Sequence, residues 1–80
     1  MDEKLLERIS MNPRVMVGKP VIRGTRIPVE LILRMLAQGI SNGDILQEYP
    51  RLQPDDICAA LVYAAHVLSG EDVFPLAVSA

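Results

Sequence analysis

Pro28-Val29-Glu30-Leu31-Ile32-Leu33-Arg34-Met35-Leu36-Ala37-Gln38-Gly39-Ile40-Ser41-Asn42-Gly43-Asp44-Ile45 is the stretch that decides the fold class. Val29, Ile32, Leu33 and Leu36 fall at i, i+3, i+4 and i+7, one apolar stripe of a helix. Pro28 suits the first turn, where a missing N–H has no partner to lose. Glu30 and Arg34 form an i,i+4 pair in the favourable order. Gly39 then supplies the left-handed stop. Ser41 with Asp44 three residues on resembles a capping box, with Asp in place of Glu, and Ile40 and Ile45 flank it as a hydrophobic staple. The helix so begun runs over 42–48, because Pro50 forbids continuation and restricts Tyr49.

A third helix starts at Pro54, with Asp55 and Asp56 in the first turn, where the helix dipole favours negative charge. Ile57, Ala60, Leu61, Ala64, Ala65 and Leu68 define its stripe, and Cys58, Val62 and Val67 make it apolar elsewhere as well. A helix so apolar all round is expected to be buried on more than one side. Gly70 ends it. Upstream, Pro13, Pro20 and Pro28 alternate with Gly18 and Gly24. Val15-Met16-Val17 and Val21-Ile22 read as two small strands or extended arms, and residues 3–9 as a brief leading helix. The chain is thus one domain over 1–80: an extended or β arm at 1–28, a helical core at 28–69 and a tail at 70–80. In the tail, Val73, Phe74, Leu76 and Val78 are suited to lie across the domain or a partner. Three helices with tight connections predict a mostly α fold, a three-helix, homeodomain-like helix-turn-helix core with a short β N-terminal segment.

Eighty residues leave no room for a second core, and half of them are hydrophobic. That excess predicts apolar surface left for a partner to cover, in a homodimer or a hetero-complex. The net charge of −2 conceals a split. Arg8 to Arg34 holds six cations and one acid, and Met35 to Ala80 holds one cation and six acids. Such a split predicts one face that meets something anionic, or else a solvated surface. Cys58 stands alone, so neither a disulfide nor a thiolate zinc site is available, and its apolar neighbours predict a buried, inert thiol. The charged start Met1-Asp2-Glu3-Lys4 leads into no apolar h-region, and no run approaches the length of a membrane span. A soluble, cytoplasmic chain is expected.

The residues offer no catalytic, metal or cofactor site. Gly18 to Gly24 encloses five residues where a phosphate loop has four, and no Lys stands before the Ser/Thr. His66 lacks a second ligand within reach in the sequence, so a structural or surface role is expected. Asp55 and Asp56 point about 100° apart on a helix and read as capping residues rather than a carboxylate pair. A non-enzymatic binding module is the consequence. Residues 54–69 contain no Arg, Lys, Asn or Gln, so this helix reads as a packing element and not as a reader of base edges. If double-stranded DNA is bound, Arg14, Lys19, Arg23 and Arg26 are the candidates, on a ridge shaped by Gly18 and Gly24. The alternative for each arginine is a carboxylate inside the domain or dimer. Tyr49, Tyr63 and Phe74 make no platform for stacking single-stranded bases.

Gly18-Lys19-Pro20-Val21-Ile22-Arg23-Gly24-Thr25-Arg26-Ile27-Pro28-Val29 resembles the signature of the small prokaryotic proteins called domain of unknown function 433. Leu36-Ala37 with Gly39, Ile45-Leu46 with Tyr49-Pro50, and Asp56-Ile57 with Ala60-Leu61 and Tyr63-Ala64 are similar to that family's later blocks. The likeness spans residues 9 to 66. It implies a homeodomain-like helical domain with a short β N-terminus, antitoxin-like in character and encoded beside a PIN-like toxin. It carries over no catalytic residues. The expectation is an antitoxin-like module that binds a toxin-like, PIN-type protein and, as a dimer, its own operator. Arg23 and Arg26 would contact an acidic surface, since guanidinium binds carboxylate or phosphate in bidentate fashion. A stand-alone DNA-binding regulator and a structural homodimer are the alternatives.

Overall fold

The computed structural model describes residues 2–11 and 18–70. In chain order the elements are α1 (Asp2–Leu6), β1 (Ile9–Ser10), β2 (Val21–Ile22), α2 (Val29–Ala37), α3 (Asn42–Glu48) and α4 (Pro54–Ser69). Among the described residues, four helices and one small antiparallel sheet thus make a mostly helical fold. The helix boundaries follow local chemistry. Gly39 sits at φ 86°, the left-handed conformation that a side chain disfavours, and ends α2. Ser41 Oγ accepts the Asp44 N–H at 3.1 Å and opens α3. At α4 the cap is fuller than the sequence predicts. An Asp56 carboxylate oxygen accepts the Gln53 N–H at 2.8 Å, and the Asp56 N–H donates to the Gln53 carbonyl at 2.8 Å.

The core takes one fully buried isoleucine from each of four elements: Ile22 of β2, Ile32 of α2, Ile45 of α3 and Ile57 of α4. Val29, Ala59 and Ala60 close the gaps between them, and Ile9 and Leu52 cover the edges. The alanines of α4 let it approach closely, and α1 and α2 both pack against it. Elements of two to nine residues cannot hold their shape alone; the shared apolar cluster holds them.

Three sequence expectations change here, and the sheet has a strand the sequence did not announce. The strand partner of Val21-Ile22 is Ile9-Ser10, in the register Ile9 with Ile22 and Ser10 with Val21. Val15 to Val17 lies outside the described residues, as does the tail from 71 onward. The leading helix ends at Leu6 rather than at residue 9, because Ile9 and Ser10 are taken into the sheet; a strand of two residues leaves no periodicity to read. Cys58 is exposed, not buried. Most consequentially, α4 is not buried on more than one side. Its first half is packed, but Leu61 stays 50% and Leu68 64% exposed, since the helix runs on past the elements that cover it. Among the described residues no helix is long and apolar enough to cross a membrane.

Candidate functional site

Residues 20–29 fold into a tight hairpin. Ile22 N–H donates to Ile27 O at 3.0 Å, Val29 N–H donates to Pro20 O at 3.0 Å, and Val21 bridges Pro28. Thr25 braces the turn, its hydroxyl donating to Ile22 O at 2.7 Å and accepting the Ile27 N–H at 3.0 Å. Gly24 stands at the turn with φ 82°, and a Cβ there would meet nothing within 4 Å. Backbone conformation, not space, is therefore what asks for glycine at that point. Gly18 shares the left-handed conformation, φ 84°.

The cations on this arm have different fates. Arg23 turns back onto the β1 segment: its Nε donates to Glu7 O at 2.6 Å and its Nη2 to Ile9 O at 3.2 Å. Lys19 Nζ pairs with Glu30 at 3.2 Å, and Glu30 also takes Arg34 at 2.9 Å. The Lys19 ammonium, through its hydrogen bond and then its charge, holds the Glu30 carboxyl below its usual pKa, with Arg34 adding to the effect. Arg26 is exposed and makes no ion pair or hydrogen bond among the described residues. Arg14 lies outside the described residues. Hairpin and α2 thus bring Lys19 to Arg34 through Glu30, while Arg23 serves the sheet and Arg26 faces outward.

The charge split of the sequence is in part consumed inside the fold. Arg8, at the start of the basic half, donates to the Asp56 carboxylate at 3.0 Å and to the Gln53 side chain at 3.2 Å, and lies 3.5 Å from Asp55. Asp56 is 5% exposed and the one buried charged group among the described residues. These groups, with Lys4, Glu7, Arg23 and Arg51, line an open cleft of about 510 Å³. Its central groups are already engaged with one another. Among the described residues there is no cluster of three or more metal-ligating side chains.

A second concavity has the opposite character. Pro20, Val29, Leu33, Tyr63, Ala64, Val67 and Leu68 line a groove of about 340 Å³, with Glu30 at its rim as the one charged residue. The hairpin supplies one wall, α2 the floor and the exposed half of α4 the other wall. Sequence reasoning missed this groove by assigning its α4 wall to the core. The signal was present in the apolar character of 54–69 all round; what it lacked was the point at which the cover ends.

Comparison with known proteins places this geometry. The family description "Protein of unknown function (DUF433)" matches residues 9–64. The chain is 36% identical over 58 residues to the uncharacterised protein y4eO of Sinorhizobium fredii, covering 72% of this chain and 26% of that protein. It therefore spans about a quarter of that relative's length. An uncharacterised protein of Archaeoglobus fulgidus is 57% identical over 30 residues, 38% of this chain and 83% of its own length. A crystal structure of a DUF433 member from Anabaena variabilis superposes with a TM-score of 0.73 at 32% identity, covering 85% of this chain and 67% of that one.

Proposed function

The chain belongs to the DUF433 family, and from that premise we propose that it is a non-enzymatic, antitoxin-like binding module whose partner is a toxin-like, PIN-type protein. The observation that carries the proposal is the apolar groove between the hairpin, α2 and α4, with Glu30 at its rim in ion pairs with Lys19 and Arg34. A groove lined by aliphatic and aromatic side chains with charge only at its rim suits an amphipathic segment of another protein. Rim charges then set orientation and partner choice more than affinity. Arg26, outward-facing, would meet a carboxylate of that partner in bidentate fashion. In this reading α2, α3 and α4 are a homeodomain-like helix-turn-helix core used for docking protein. The operator reading has less behind it. Asp44 and Glu48 are exposed on α3, and α4 carries no side chain suited to base edges.

The test is co-expression with the product of the adjacent gene. The proposal expects co-purification and relief of that product's toxicity, both lost in Val67→Glu, which places charge in the groove at an exposed site. Absence of a complex, or a complex indifferent to Val67→Glu, refutes it. Salt-dependent retention of duplex DNA near 50 mM salt, with no protein complex, favours the regulator instead.

A further inference from the structure

Beside the groove, and sharing Leu68 with it, α4 carries a second exposed apolar stripe. Cys58, Leu61, Ala65 and Leu68 are all exposed, and they recur at spacings of three, four and three. That is the a/d alternation of a two-helix seam. The seam borders the packed face: Ile57, one turn before Leu61 on the same side of the helix, is fully buried, as is Ala60, while Leu61 and Leu68 are exposed. From Ile57 to Gly70 there is no Asp, Glu, Lys or Arg. Val62 and Ser69 flank the seam at the next positions round the helix and line a shallow depression on this face.

We propose that two copies of this chain associate through antiparallel α4 helices about a two-fold axis centred at residue 63. The order of side-chain sizes carries the argument. In the antiparallel pairing Leu61 faces the partner's Ala65, and Leu68 faces the partner's Cys58. Every layer then sets one large side chain against one small one, and all four layers obey the same symmetry. A parallel pairing sets leucine on leucine and alanine on alanine, alternately crowded and hollow. Antiparallel helices also bring opposite ends of their dipoles together. The surface is thus self-complementary in the sense that a two-fold interface requires. Residues 58 and 68 lie about 15 Å apart along the axis. A seam this short buries less than the ~1,200 Å² of a stable interface. The dimer is therefore weak and reversible.

Sedimentation and oxidative cross-linking of the full chain test this. The wild-type chain is expected to sediment as a dimer above about 100 μM and to dissociate on dilution, and Leu61→Glu, at an exposed position, to remain monomeric with an unchanged circular dichroism spectrum. Cross-linking fixes the direction. In the antiparallel dimer Cys58 lies about 15 Å from the partner's Cys58, beyond the reach of a disulfide. Oxidised glutathione, which takes up the two electrons and two protons of each thiol pair, should leave the wild type unlinked. It should convert Leu68→Cys to a covalent dimer through bonds between Cys58 and the introduced thiol of the other copy. Ready linkage of wild-type chains overturns the antiparallel arrangement. A chain that stays monomeric at 200 μM, with Leu68→Cys unlinked, overturns the dimer and leaves this face to residues 71–80 or to a different protein.

Discussion

Replacing Asp56 by alanine should be among the most damaging changes available outside the isoleucine core. The carboxylate is 5% exposed and makes two strong contacts, the Gln53 N–H at 2.8 Å and Arg8 at 3.0 Å. Loss of the cap costs about 1 kcal/mol. Loss of a hydrogen bond to a charged group costs about 1.5–3 kcal/mol when buried. Arg8 is 33% exposed, and its second carboxylate, Asp55, is 66% exposed, so solvent screening brings that contribution towards about 1–1.5 kcal/mol. Asp56→Ala should therefore cost about 2–2.5 kcal/mol, a fall in Tm of about 8–20 °C for a domain this small. Asp56→Asn, which keeps an acceptor for the cap, should cost about half as much. Arg8→Ala leaves the carboxylate capped but unpaired and should cost about 1–2 kcal/mol. Urea denaturation of the two single variants and the double variant isolates the coupling, expected near 1 kcal/mol. A coupling near zero, or a loss under 0.5 kcal/mol for Asp56→Ala, would show that the basic arm and the acidic helix are not held together here.

Two glycines should respond with opposite signs. Gly39→Ala forces a side chain into φ 86° and should destabilise by about 1 kcal/mol, whereas Gly43→Ala, inside α3 where a Cβ would make only ordinary contact with Ser41 Oγ at 3.9 Å, should stabilise by about 0.5–1 kcal/mol; thermal melts decide, and equal signs contradict the backbone argument. Arg23→Ala should lower stability by about 1–2 kcal/mol through two lost bonds to Glu7 and Ile9 carbonyls, while Arg26→Ala should leave the melt unchanged and weaken only partner binding. A destabilised Arg26→Ala would show that the outward-facing guanidinium has a role in the fold. Glu30→Gln should cause a small drop in Tm at pH 7. The folded pKa of Glu30 is depressed, so the stability tied to it is present above the ordinary value of 4.5 and is lost as pH falls below it. The drop should accordingly shrink as pH falls below 4.5; a drop undiminished in acid contradicts the assignment.

The helices were legible because their boundaries are written in local chemistry. Pro28, Gly39, the Ser41–Asp44 cap, Pro50 and Pro54 each act within a few residues of where they stand. The sheet was not legible in the same way. Its pairing of Ile9 with Ile22 is a tertiary contact between two-residue strands, and the apolar run at 15–17 was the louder signal. The roles of the arginines were open for a similar reason. Nothing local separates Arg23, turned onto backbone carbonyls, from Arg26 three residues on, which faces outward. The same holds for Arg8, whose partners lie 45 to 48 residues away. The candidate groove was hidden by a correct observation. Residues 54–69 are apolar all round, but periodicity cannot say how far along a helix the cover extends. Leu61, Val67 and Leu68 lie past that limit, and both candidate surfaces arise there.

Amide hydrogen exchange, recorded with and without the adjacent-gene product bound, tests the binding-module account most directly. Protection should rise along α2 near Leu33 and over residues 63–68 of α4, with little change around Arg8 and Asp56. Unchanged exchange at those positions, or protection confined to the polar cleft, would contradict it.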